Sequence, residues 1–134
     1  MTPEASAFLT AADRAITDAR TILAASVPQQ AARLAYYAQF HSAQALIFER
    51  TGKISKTHKG VHRQLHQLAR TEPALPPGFA TQLTKSYNYK ERADYDTDIT
   101  EPIMPARAGE AIATAESFIA VVRQALDRLP SSAP

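Results

Sequence analysis

Histidine occupies four positions of this chain, and three of them, His58, His62 and His66, fall four residues apart within KTHKGVHRQLH, residues 56–66. On a helix that spacing puts the three imidazoles on one face. Imidazole titrates near neutrality, so such a face can move protons, hold a metal ion or meet phosphate. A metal fits the spacing poorly. Two histidines four apart can share one Zn²⁺, but His58 and His66 would stand roughly 12 Å apart by helical rise. A third ligand would have to come from elsewhere, for instance Glu91 or Asp94, and Arg63 follows His62 where an HExxH motif has glutamate. No metal and no cofactor is expected.

Phosphate fits better. Lys53, Lys56, Lys59, Arg63 and Arg70 flank the histidines, and no acid occurs from Lys53 to Arg70. A basic pole of this kind attracts phosphate groups or an acidic partner. Thr57 is placed to cap a helix starting there, whose open N–H groups and dipole favour an anion. A plain solvated face is the alternative reading of the same residues. Acids gather instead in KERADYDTDITE, residues 90–101, as Glu91, Asp94, Asp96, Asp98 and Glu101. Arg92 is a guanidinium among these carboxylates. It is either a salt-bridge former or a cation that Asp94 orients toward a phosphate. There is no GxSxG and no Walker loop, and four glycines cannot build a phosphate cradle.

The elements that must position these residues read as helices, separated by proline and glycine. The first runs from about Pro3 to Ser26, with Phe8, Ala12, Ala15, Ala19 and Ile22 as its apolar stripe. The second runs from about Pro28 to Thr51, with Gly52 as its stop. It is apolar nearly all round, with Gln39, Ser42 and Glu49 as a polar strip, so it is central in a bundle or shared with a partner chain. A third follows residues 53–60 and reaches about Arg70. A fourth runs from about Pro77 to the region of Asp94, and a fifth from about Pro105 to Leu129. No strand alternation or hairpin turn is present. The expectation is an all-α, up-and-down antiparallel bundle of four to five helices in one domain spanning 1–134, with 130–134 a short tail.

Composition agrees. Hydrophobic residues make up 45% of 134, enough for a core, and the formal charge of +2 is too small to imply nucleic-acid binding without its placement. Absence of cysteine excludes disulfides and thiolate chemistry. No apolar run is long enough to span a bilayer, so a soluble cytoplasmic protein is expected, with no membrane role.

Three stretches together, RLAYYAQFHSAQALI (33–47), KTHKGV (56–61) and RADYD (92–96), resemble in order and spacing the HEPN domain proteins of bacteria and archaea, in particular their small single-domain branch. The resemblance covers most of the chain. It implies a dimeric helical bundle, often encoded beside a small nucleotidyltransferase as toxin and antitoxin, or within a defence system. Active members are metal-independent endoribonucleases in which Arg stabilises phosphate charge and His moves the proton of the attacking 2′-hydroxyl. Their signature is Arg, four to six residues, then His. Here Thr97, Asp98 and Ile99 occupy the matching positions after Arg92, while Arg33 and Arg50 each precede a histidine by seven intervening residues.

The resemblance does not carry its Arg–His motif over to this chain, so the catalytic set expected here is Arg92, His58 and Asp94, with His58 as a base displaced from that motif. It makes Lys56, Thr57, Lys59, Arg63 and Tyr95 the phosphate or RNA contacts, and places Arg33, Tyr37 and His41 at a dimer interface or cleft. Tyr36, Tyr37 and Phe40 are expected as core or dimer contacts, and His62 and His66 as surface. The expected partners are a second copy of the chain, a nucleotidyltransferase-like protein, and RNA or nucleotide. The alternative is a non-catalytic helical subunit that binds or scaffolds within a larger defence or nucleotide-processing complex.

Overall fold

A computed structural model describes residues 1–95 and 102–128, the side chains of 92–95 excepted. Five helices follow in chain order: α1 (Pro3–Ala24), α2 (Pro28–Thr51), α3 (His58–Ala69), α4 (Phe79–Tyr95) and α5 (Pro105–Asp127). Among the described residues there is no strand, and the fold is the all-α bundle expected from the sequence.

The boundaries follow from local chemistry. Thr2 caps α1 by accepting the Ala5 amide at 3.1 Å, and Pro3 sits in the first turn. Ser26, at φ 67°, breaks the chain before Pro28 opens α2. Gly52, at φ 72°, closes α2 in the left-handed conformation that glycine adopts without penalty. Helix α4 starts at Phe79 rather than at Pro77, because Gly78 takes φ 81° in a turn in which the Phe79 amide reaches the Pro76 carbonyl. The expected end of the last helix at Leu129 and the tail 130–134 lie outside the described residues.

Helix α2 is central and packs against each of the other four. Against α1 the contact is built of alanines: Ala12, Ala15 and Ala19 meet Ala31, Ala32, Ala35 and Ala38 in one apolar cluster. Small side chains let the two helices approach closely. The buried stripe of α1 is Ala5, Leu9, Ala12, Ala15, Ile16 and Ala19, so it is rotated from the expected one, and Phe8 and Ile22 stand half-buried at its edges. Two ion pairs, Arg20–Glu116 and Arg123–Asp13, bridge α1 and α5 on the outer surface.

The polar strip of α2 lies largely inside the bundle. Gln39 and Ser42 are buried, Gln39 Nε2 donates to Ser86 Oγ of α4 at 2.9 Å, and Ser42 Oγ donates to the Gln39 carbonyl. The Nε2 of this buried amide is hydrogen-bonded and ties α2 to α4, while its Oε1 has no hydrogen-bond partner among the described residues. Glu49 accepts the Thr2 amide at 2.7 Å, which holds its carboxyl below the usual glutamate range. The line that α2 leaves half-buried instead is Arg33, Tyr37, His41 and Gln44.

At the far end, Arg50 joins three elements. It bonds Glu72 at 3.1 Å and the Ala125 carbonyl at 2.6 Å, so a cation sits at the C-terminus of α5 where open carbonyls favour it.

Candidate functional site

The loop into α3 is shaped by one glycine. A Cβ on Gly60 would lie 1.9 Å from Ser55 Oγ and 2.6 Å from Ser55 Cβ. Ser55 in turn is held by its amide, which donates to Gln64 Oε1 at 2.9 Å. Thr57 caps α3 as expected, accepting the Gly60 amide at 3.0 Å. Cap, glycine and serine together fix His58 as the first residue of the helix.

From there His58 turns inward. Its ring stacks on Phe40 of α2, centroids 4.4 Å apart and planes 26° apart, and meets Tyr37 edge-on at 5.7 Å. Its Nδ1 lies 2.8 Å from the hydroxyl oxygen of Tyr36, a tyrosine with 0% exposure. The same hydroxyl lies 2.8 Å from Nε2 of His62. Tyr87 of α4 closes the group, 5.5 Å from His58 and 5.2 Å from His62 by ring centroids. One buried phenol thus bridges two imidazoles inside a box of aromatic rings.

His62 therefore corrects the expectation that it is a surface residue. Positions 58, 61, 62 and 65 form the inward stripe of α3, with Val61 and Leu65 buried and both histidines half-buried beside them. Burial, helped by the neighbouring His58 and His66, pushes the His62 imidazole down to about 4 from an ordinary 6.5. It is neutral across the physiological range. Burial also raises the Tyr36 hydroxyl well above the ordinary phenol value, with Tyr87, Tyr37 and Glu91 adding to the rise. His66 is exposed, as expected, with its Nε2 3.3 Å from Thr84 Oγ1. The two histidines that a metal would need converge on a phenol oxygen.

Around this group the expected basic residues are exposed: Lys56, Lys59 and Arg63. Lys59 and Arg63 each follow a box histidine by one position, so they leave α3 about 100° further round its axis. Arg33 lies over the Tyr37 ring at 5.0 Å, and His41 Nδ1 meets Gln44 Oε1 at 2.9 Å, so Arg33, Tyr37 and His41 share the half-buried face of α2. Lys90 is 8% exposed, with its ammonium 5.7 Å from the Tyr87 ring.

Arg92, Asp94 and Tyr95 lie on the last turn of α4, and their side chains fall outside the described residues, as does the acidic stretch 96–101. The direction of α4 is described. His66 meets Thr84 while His62 and His58 meet Tyr87, so α4 runs antiparallel to α3 and its C-terminal turn lies toward the His58 end.

Among the described residues no three His, Asp or Glu side chains gather closely enough to hold a metal ion. No described helix is long and apolar enough to cross a membrane.

Sequence comparison bears on the same residues. The model of the HEPN domain family matches residues 5–125, which include every described member of the aromatic box. A Methanocaldococcus jannaschii protein named "Putative toxin MJ0605" is 30% identical over 126 residues, covering 94% of this chain and 91% of the relative. An Archaeoglobus fulgidus protein named "UPF0332 protein" is 26% identical over 117 residues, covering 87% and 90%. The chain belongs to the HEPN domain family.

Proposed function

We propose that this chain is a toxin-type HEPN protein of the cytoplasm that binds RNA through its basic pole and cleaves it without a metal, with His58 as the acid–base group. The observation that carries this reading is the placement of His58. An imidazole at a helix start is stacked on Phe40, hydrogen-bonded through Nδ1 to a buried phenol, and flanked by exposed Lys56, Lys59 and Arg63. Such a histidine is oriented for proton transfer beside a surface suited to phosphate. With Nδ1 engaged by Tyr36, acid–base chemistry falls to Nε2. Arg92 would stabilise the charge on the phosphate, and Asp94 would orient its guanidinium. The relative named as a toxin supports the toxin part.

In this reading the chain acts as one domain, as a homodimer through the Arg33–Tyr37–His41 face, and is paired with a nucleotidyltransferase-like protein. Inducing the full chain alone in a bacterial host tests it. Growth should slow, and His58→Ala and Arg92→Ala should each relieve the effect. Unimpaired growth with abundant folded protein would count against it.

A second reading is favoured by one specific observation. No histidine follows Arg92 at the family's spacing, because Thr97, Asp98 and Ile99 stand there. In that reading the chain is a binding or scaffolding subunit of a larger complex and cleaves nothing. It would then co-purify with a partner while His58→Ala leaves growth and assembly unchanged.

A further inference from the structure

The proposed acid–base role leaves open why one phenol should contact two histidines. A hydroxyl has one hydrogen. With imidazole nitrogens on both sides at 2.8 Å, Tyr36 donates to one and accepts from the other. Two arrays satisfy this. In the first, His58 Nδ1–H donates to the Tyr36 oxygen and the phenol donates to a bare His62 Nε2. In the second, His62 Nε2–H donates to the phenol and the phenol donates to a bare His58 Nδ1.

We propose that Tyr36 and His62 are positioning residues that set the tautomer of His58, keeping hydrogen on Nδ1 so that Nε2 carries the lone pair. The proposal rests on the reading of His58 as the acid–base group: the hydrogen-bond array allows two tautomers of His58, and that role selects one of them.

Only the first array lets His58 gain and lose a proton without moving another hydrogen. When His58 takes a proton at Nε2, that proton leaves the donor, Nδ1–H stays on the Tyr36 oxygen, and the phenol hydrogen stays on His62. In the second array Nε2 already carries hydrogen, and protonation at Nδ1 would have to displace the phenol hydrogen. The first array also requires that the phenol keep its hydrogen and that His62 accept. The surroundings fit both conditions, and the acid–base role of His58 is what selects the first array over the second. Tyr36 is fully buried, and His62 is held neutral by burial with His58 and His66 as neighbours. Among the described residues, the groups around the array include Tyr37 and Phe40 from α2, His66 from α3, and Tyr87, Lys90 and Glu91 from α4. Glu91 acts on Tyr36 to retain the phenol hydrogen. The logic is that of a histidine whose remote nitrogen is fixed by a partner so that its other nitrogen is presented in one state.

The experiment is long-range ¹H–¹⁵N NMR of the histidine rings in the full chain at pH 7, without RNA. The expected result is His58 protonated at Nδ1 and bare at Nε2, with His62 bare at Nε2. Tyr36→Phe and His62→Leu should each abolish the fixed Nδ1–H form of His58. His62→Gln should keep it, because an amide oxygen can accept from Tyr36. Wild-type His58 protonated at Nε2 would overturn the proposal even if every variant failed to fold, and so would an unchanged Nδ1–H form in folded Tyr36→Phe. The readout is independent of RNA cleavage. A fixed Nδ1–H tautomer in a protein that cleaves nothing would remove the ribonuclease reading and uphold the array. Cleavage that depends on His58 in the Nε2–H form would do the reverse.

Discussion

The hydroxyl oxygen of Tyr36 lies 2.8 Å from Nδ1 of His58, joining the middle of α2 to the first residue of α3. Tyr36→Phe removes that oxygen and keeps the ring. Loss of an orienting partner behind a working imidazole should lower RNA cleavage about 10- to 100-fold, by analogy with outer partners of metal-bound histidines. Two half-buried imidazole nitrogens also lose their partner, which should cost about 1–3 kcal/mol of stability. Cleavage rates and urea unfolding, measured on the same preparation, separate the two effects.

Gly60→Ala is predicted to be harmful although it lies within a helix. Propensity alone favours alanine by about 1 kcal/mol. The added carbon would lie 2.6 Å from Ser55 Cβ, an atom that no rotation of the side chain removes. The start of α3 must shift, and His58 with it. The variant should melt at a lower temperature and lose cleavage. Adding Ser55→Gly should restore much of both, since it removes the two nearest obstructing atoms. A Gly60→Ala protein of wild-type stability would show that the turn is looser than the geometry requires.

His62 makes stability depend on pH with a definite sign. Its folded value of about 4 lies below the ordinary 6.5, so between these limits the unfolded chain binds the extra proton. The stabilisation from keeping His62 neutral is fully present above pH 6.5 and is lost as pH falls toward 4. After discounting for partial exposure the loss is about 2 kcal/mol. The fall in melting temperature from pH 7 to pH 4.5 should be smaller in His62→Gln than in the wild type. Equal falls would contradict the assigned burial.

Lys59 and Arg63 should act through charge. Replacing either with alanine should weaken RNA binding about equally for all sequences and reduce the slope of log affinity against log salt by about 0.7, the value for one phosphate contact on a single strand. Fluorescence anisotropy at several salt concentrations checks this. An unchanged slope would remove that residue from the interface.

Much of the fold was legible in the sequence because its punctuation is chemical: Pro3, Pro28 and Pro105 open helices, Gly52 closes one, and Thr57 caps one. The end of α1 shifted by a couple of residues and the start of α4 moved to Phe79, where local turns at Ser26 and Gly78 decide. The burial of Gln39 and Ser42 was not legible, because no spacing rule shows that a buried amide has a partner on another helix. His58 was legible from the KTHKG turn. Tyr36 and His62 were not, since their roles exist only once α2 and α3 cross. One signal was available: His58, Val61, His62 and Leu65 share an apolar stripe, which places His62 inward.

The most direct measurement of the central claim is cleavage of total RNA and tRNA by the purified full chain in the presence of chelator, beside folded His58→Ala. A general acid–base group contributes about 10²- to 10⁴-fold, so the wild type should cleave and the variant should lose activity by that order. Cleavage undiminished in His58→Ala, or none by folded wild-type protein, would contradict the assignment of His58 as the acid–base group.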